Sequence, residues 1–338
     1  MQARFDEGSA LAALVRSALG DEGRVLLAVS GGLDSMVLLH VASSAIDRKR
    51  IVVATFDHAT GAHATRAVGM VRSKCLNLGI ECVAGRSPNP GFRESDWRDE
   101  RWHFLRATAS RSGRTIVTAH TLDDQIETVF MRILRDAGPR GLCGLFAESE
   151  IARPLLSVGR AEIARYAVTN KVRFVDDPSN QSRLHLRNRV RHDLLPAIIA
   201  VNRSFPAELI GIAQKAARWR SSMASLADAT GAEHAANGSL RIARAAFAGY
   251  DAEVLRSLWP ALAAKANVVM DRRGTHRLAE FTMKGQTGGS IQLSGGIEVR
   301  MFRDYLLLRR WDAGQVEVTR NARVRRAGRR PSAQVDKR

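Results

Sequence analysis

The chain has 338 residues, 45% of them hydrophobic and 25% charged, with a formal net charge of +18. That length supports two domains with a sizeable core, and the positive excess calls for a polyanionic partner, nucleic acid before an anionic membrane. No stretch reaches the roughly 18–20 uninterrupted apolar residues of a membrane span, the charged start Met1–Gly20 does not read as a secretory signal, and Cys75, Cys82 and Cys143 have neither zinc nor redox spacing, so the reducing cytoplasm is the expected compartment.

Helical periodicity opens the chain over 9–19. The apolar, branched run Arg24–Val29 then predicts a buried strand, Ser30–Ser35 a tight turn and Met36–Ala45 a helix. A second strand is expected at Ile51–Phe56 and a helix over Ala64–Leu78 ending at Gly79. A third strand follows at Ile80–Ala84, then a Pro/Gly loop (Ser87–Gly91) and a charged helix from Glu94 to Ser112. The fourth strand, Thr115–Ala119, leads at once into a helix containing Asp123–Leu134. This alternation implies an α/β fold, a parallel sheet with helices on both faces, whose ligands bind at the carboxyl ends of the strands.

The character changes after about Val201. Residues 205–265 are alanine-rich and helical in pattern, and Gly285–Arg310 carries short β-like runs separated by glycine turns. The expected organisation is a catalytic domain over 1–200, a smaller α+β domain over 205–312 that contacts RNA, and a basic, disordered tail over 313–338, where Arg320–Arg330 holds six arginines and no acid.

Two segments carry chemistry, and both directly follow strands. In Ser30-Gly31-Gly32-Leu33-Asp34-Ser35 the small residues let the backbone approach a phosphate with its N–H groups inward, and the helix starting near Asp34 adds its positive end. Taken as two glycines alone, the string would be an ordinary capped helix. It lacks the GK[ST] ending of a Walker A loop and the GxGxxG of a Rossmann turn. In the second segment, His120 and Asp124, and likewise Asp123 and Glu127, are four residues apart, so one helical face presents several acids near its N-terminus. Clustered carboxylates repel without a counter-charge, and Mg²⁺ on Asp34, Asp123, Asp124 and Glu127 would supply one. The alternative is an acidic first turn that matches the helix dipole.

The SGGLDS string resembles the loop of the PP-loop ATP pyrophosphatases (adenine nucleotide alpha hydrolase-like), which cleave ATP to AMP and pyrophosphate. His120-Thr121-Leu122-Asp123-Asp124-Gln125-Ile126-Glu127-Thr128, followed by Arg132, Arg135 and Gly138-Pro139-Arg140-Gly141-Leu142, resembles the tRNA(Ile)-lysidine synthase family. So do Arg153-Pro154-Leu155-Leu156, Asp177-Pro178-Ser179-Asn180 and Arg187-Asn188-Arg189-Val190-Arg191-His192, and the similarity runs in order over about 22–200. After Asp57-His58 the chain departs from the family's usual GLR continuation, reading Ala59-Thr60-Gly61-Ala62-His63.

The resemblance implies that the chain joins L-lysine to C2 of the wobble cytidine of tRNA(Ile) with a CAU anticodon. The product, lysidine, shifts decoding from AUG to AUA; the route is an adenylated cytidine, with release of AMP and pyrophosphate. ATP and Mg²⁺ would be the cofactors. Ser30, Gly31, Gly32, Leu33, Asp34 and Ser35 would bind ATP, and Asp34 and Asp124 would manage Mg²⁺ or the lysine amine. Arg101 and His120 would stabilise charge on the phosphates. Arg132, Arg135, Arg140, Arg187, Arg189 and Arg191 would contact RNA. The alternative is another PP-loop tRNA-modifying enzyme, such as a thiolase, although no CxxC is present.

Overall fold

A computed structural model describes residues 7–88, 94–176, 181–235 and 238–310. The tail over 313–338, the motif Asp177-Pro178-Ser179-Asn180 and most of the Pro/Gly loop before residue 94 lie outside the described residues. The chain divides into two compact units, Met1–Ala217 and Arg218–Arg338. The division falls later than the 200/205 boundary expected from composition, because a long helix runs through it.

The first unit begins with helix α1 (Glu7–Leu19), strand β1 (Val25–Ala28) and helix α2 (Leu33–Ala45). There follow β2 (Ile51–Asp57), α3 (Ala62–Leu78), β3 (Glu81–Arg86), α4 (Glu94–Ser112), β4 (Thr115–Val117) and α5 (Leu122–Ile133). The expected alternation is observed, with β3 shifted by one residue and β4 shorter than the apolar run. Gly79 closes α3 in the left-handed region at φ +66°. The Ile80 N–H returns to the Cys75 carbonyl, so Ile80 is spent on the cap rather than on the strand.

The four strands are parallel in the order β3-β2-β1-β4. Alternation along them feeds two cores. Val25, Leu27, Ile51 and Val53 face α1, α2 and later helices. Leu26, Val52, Ala54 and Ile116 face α4 through Leu105 and Ala109. Both faces are therefore covered, as the sequence predicts. Because β1 pairs with β4, the two chemistry-bearing loops emerge side by side where the strand order reverses, the usual ligand crevice of such sheets.

Beyond α5 come the short helix α6 (Pro139–Leu142), α7 (Arg160–Thr169), α8 (Leu186–Arg189), a π-turn (Val190–Leu194), α9 (Leu195–Val201) and α10 (Phe205–Ala229). Val129 and Phe130 of α5 pack on Val190, Leu195, Leu209 and Ala213. That core holds the basic segment around residue 190 against the acidic helix.

The second unit contains β5 (Glu233–His234), β6 (Leu240–Ala243), α11 (Ala252–Lys265), α12 (Arg272–Lys284), β7 (Ser290–Leu293), β8 (Ile297–Met301) and β9 (Tyr305–Arg310). Its sheet is antiparallel, in the order β5-β6-β9-β8-β7. Leu240, Ile242, Val299, Leu306 and Leu308 pack against the helices around the fully buried Trp259. The 205–265 stretch, helical in pattern, is interrupted by β5 and β6. Gly231 and Gly238 take positive φ and break it, and the short alternation Leu240-Arg241-Ile242 pairs with β9, a tertiary contact that local composition does not encode. No single helix among the described residues is long and apolar enough to cross a membrane.

Candidate active site

The phosphate loop is built by backbone geometry. Gly31 sits at φ +89°, and a Cβ there would lie 3.0 Å from the Ala67 Cβ and 3.2 Å from the Ala67 carbonyl oxygen. The Gly31 carbonyl is taken by the Val175 N–H at 2.9 Å. Ser35 donates to the Gly32 carbonyl at 2.9 Å, and its hydroxyl lies 3.2 Å from that of Ser30. Gly32 caps α2 without any side-chain hydrogen bond, so the positive end of that helix is left to an outside anion. Leu33 turns into the core as the first residue of α2. Gly31→Ala is expected to cost about 1–2 kcal/mol through the left-handed backbone alone. It should also weaken ATP binding by about tenfold by pushing the loop off α3; calorimetric titration with a non-hydrolysable ATP analogue checks it.

Asp34 occupies the floor of the site. Its Oδ2 lies 3.6 Å from Arg160 Nη1, while its Oδ1 is buried without a hydrogen-bond partner. Burial raises its pKa, with Asp124 and Asp123 acting in the same direction against Arg160 and Arg191. A buried acceptor of this kind suits a cation or an ammonium group.

The acidic helix differs from the expectation of a shared metal cluster. Thr121 caps α5 in a reciprocal capping box. Asp124 Oδ2 accepts from the Thr121 N–H at 2.8 Å, and its Oδ1 accepts from Arg187 Nη2 at 2.7 Å. Asp123 Oδ2 accepts from the Arg160 N–H at 2.7 Å and so ties α5 to the start of α7. Glu127, with a side chain only 3% exposed, is held by Arg187 at 2.7 Å and Arg191 at 2.5 Å. No group of three or more metal-ligating side chains occurs among the described residues. The counter-charge expected from Mg²⁺ at Asp123, Asp124 and Glu127 is supplied instead by arginines and backbone N–H groups. Of these four acids, Asp34 is the one with a buried oxygen that lacks a hydrogen-bond partner among the described residues, of the kind a cation would use.

The expected RNA contacts are redistributed in the same way. Arg187 and Arg191 alternate with Arg189 in sequence, but the helical turn puts them on one face, aimed at Asp124 and Glu127, and leaves Arg189 exposed. Arg132 is bonded to the Gly141 carbonyl, Arg140 is half-buried, and Arg135 is exposed. Arg189 and Arg135 are thus the outward-facing members of the set.

His120 Nδ1 lies 2.8 Å from the Thr118 hydroxyl. Burial and the nearby Arg153, Arg187 and Arg101 outweigh Asp124 and push its pKa down to about 4. The ring is therefore neutral near pH 7, and any stabilisation of phosphate charge by it would come through a hydrogen bond. The unfolded chain titrates near the ordinary 6.5, so it takes up the proton first. Stability tied to this group is intact above 6.5 and is lost as pH falls toward about 4. An NMR titration should show this ring neutral at pH 5.5, and a midpoint near 6.5 would contradict the geometry.

Arg101 is the other residue expected at the phosphates. Its Nε is buried without a partner and it has no acidic partner among the described residues. Burial, then Arg98 and Arg187, disfavour its charge, which an incoming phosphate would relieve. A cleft of about 230 Å³ opens beside the acidic helix, lined by Asp123, Ile126, Glu127, Arg191, Leu195 and Ile199 among others. Its mixed apolar and ionic lining suits a small amphipathic ligand. Sequence reasoning missed Arg160 and Gln125. Arg160 lies outside every motif, and Gln125 is a buried amide between two acids whose role only the tertiary contacts reveal.

The described loop departure around Asp57 is structural: its carboxylate accepts from the Ala59 N–H at 2.8 Å and the Thr65 hydroxyl at 3.0 Å.

The profile of the PP-loop domain family matches residues 7–198. The tRNA(Ile)-lysidine synthase of Burkholderia mallei is 31% identical over 329 residues, covering 91% of this chain and 65% of that protein. Those of Bradyrhizobium sp. and Pseudomonas aeruginosa are 34% and 33% identical, each over 62% of this chain. The chain spans 65%, 61% and 48% of the length of these three relatives. Among solved structures, the U34-tRNA thiolase of Methanococcus maripaludis shares the fold, with a TM-score of 0.51 at 16% identity over 63% of this chain and 80% of that one.

Proposed function

Because the chain belongs to the PP-loop domain family, we propose that it adenylates the wobble cytidine of a CAU-anticodon tRNA(Ile) and then joins L-lysine to C2 of that base. The observation that carries this reading is Asp34: a buried carboxylate oxygen without a hydrogen-bond partner, next to an uncapped helix N-terminus. The uncapped loop and Arg101 would hold the phosphates of ATP, and Asp34 is the residue that would hold Mg²⁺, which shields phosphate charge when bound.

The cytidine O2 attacks the α-phosphorus and pyrophosphate leaves. The lysine ε-nitrogen then attacks C2, losing a proton, and AMP departs with the former O2. Adenylation is needed because an unactivated oxygen is a poor leaving group. The cleft beside Ile126, Leu195 and Ile199 would seat the lysine hydrocarbon chain, with Arg191 near the carboxylate. A thiolase reading finds no support in the site, since Cys75 and Cys143 are buried and neither of them nor Cys82 lines this cleft.

The second unit would contact the tRNA body. The outward face of its sheet carries Arg241, stacked 4.2 Å over the Tyr305 ring, together with Arg300. Arg241→Ala is expected to lower the salt-dependence slope of tRNA binding by about one, measured by filter binding across a salt series. The reaction itself is tested by pyrophosphate release from ATP: release that requires tRNA supports adenylation of the RNA, and release without tRNA contradicts it.

A further inference from the structure

Helix α5 has a second face that the chemistry above does not use. Gln125 points away from the acids and is fully buried. Its Nε2 donates to the Cys143 carbonyl at 2.9 Å, and its Oε1 accepts from the Leu145 N–H at 2.6 Å. One carboxamide thus imitates a strand partner for the turn at 143–145. The turn is shaped to receive it: Gly144 sits at φ +60°, and a Cβ there would lie 2.4 Å from Gln125 Oε1. Two more side chains grip the same loop by its carbonyls, Arg132 at Gly141 and Arg153 at Leu145. The Cys143 thiol closes the loop on the Arg140 carbonyl at 3.0 Å.

We propose that Gln125 is a positioning residue: it locks the loop over 138–146, which bears Arg140, onto the helix that carries Asp124 and Glu127, so that loop and acid site keep one fixed geometry toward the tRNA. The proposal rests on the tRNA reading above. A carboxamide is required because a donor and an acceptor must sit side by side in a dry site. A carboxylate supplies only acceptors, and an apolar isostere supplies neither.

The test compares Gln125→Leu, Gln125→Glu and Gly144→Ala with the wild type. Gln125→Leu should raise the KM for tRNA about tenfold while affinity for an ATP analogue, measured without tRNA, stays within about twofold. Gln125→Glu keeps the acceptor for Leu145, so the exchange protection of that amide should survive while tRNA binding weakens. Gly144→Ala should reproduce Gln125→Leu. The double variant Gln125→Ala/Gly144→Ala should bind tRNA no worse than Gln125→Ala alone, because the shortened side chain leaves room for the methyl and the left-handed backbone at Gly144 costs only stability; this variant carries the test if Gln125→Leu does not fold. Unchanged tRNA binding in folded Gln125→Leu would overturn the proposal, as would equal losses of ATP and tRNA affinity. Direct tRNA binding by filter assay separates the two readings: wild type that binds tRNA without transferring lysine sinks the reaction, while the Gln125 comparison still stands on binding.

Discussion

Asp34→Asn is expected to lower tRNA-dependent pyrophosphate release by about three orders of magnitude while leaving tRNA affinity unchanged and the fold as stable as before or more so. The stability side follows from linkage. Burial, reinforced by Asp124 and Asp123, lifts the pKa of folded Asp34 above the ordinary 3.8. In that window the folded state holds the proton that the unfolded chain has released. Stability is therefore lost as pH rises through it, and at neutral pH the ionised carboxylate is a liability that the neutral amide removes. A group kept charged against the stability of the fold is characteristic of a functional site. Thermal melting alongside the pyrophosphate assay checks both halves. A marked fall in melting temperature would mean that the Arg160 pair, rather than burial, dominates at this position.

The second large effect concerns Glu127. Glu127→Ala strands Arg187 and Arg191, two guanidiniums whose side chains are 33% and 21% exposed, against a vacated pocket. Removing one partner of a mostly buried ionic network costs about 3 kcal/mol, or roughly 6–12 °C in melting temperature for a unit of this size. Glu127→Gln, which keeps an acceptor, should lose less. Arg189→Ala, two residues from each of these arginines but outward-facing, should leave the melting temperature within about 1 °C. Equal effects at Arg187 and Arg189 would contradict the helical arrangement of this segment.

The contrast between those arginines shows what the sequence could and could not disclose. Strand and helix alternation in the first half was legible because each strand is a short branched run ending in glycine or polar residues. The placement of SGGLDS and the acidic string after strands was legible too. The strand order was not: nothing local says that β4 pairs with β1 rather than β3, and that pairing brings the two loops together. The three arginines Arg187, Arg189 and Arg191 could not be told apart from sequence, because spacing alone does not distinguish a strand from a helix over five residues. Arg187 has its partners, Asp124 and Glu127, some sixty residues earlier in the chain. Acids near a helix start read equally well as metal ligands or as caps, and here Asp124 is a cap and Asp123 a tie to α7. The β5 and β6 strands were hidden by alanine-rich surroundings, since the pairing of β6 with β9 is a long-range fact.

The proposed reaction attaches lysine to an isoleucine tRNA. Labelled lysine, ATP and Mg²⁺ supplied with an in vitro transcribed CAU-anticodon tRNA(Ile), beside a tRNA(Met) bearing the same anticodon, test it most directly. The account predicts ATP-dependent labelling of the isoleucine tRNA only, abolished by Asp34→Asn. Equal labelling of both tRNAs, or pyrophosphate release without any lysine transfer, would contradict it.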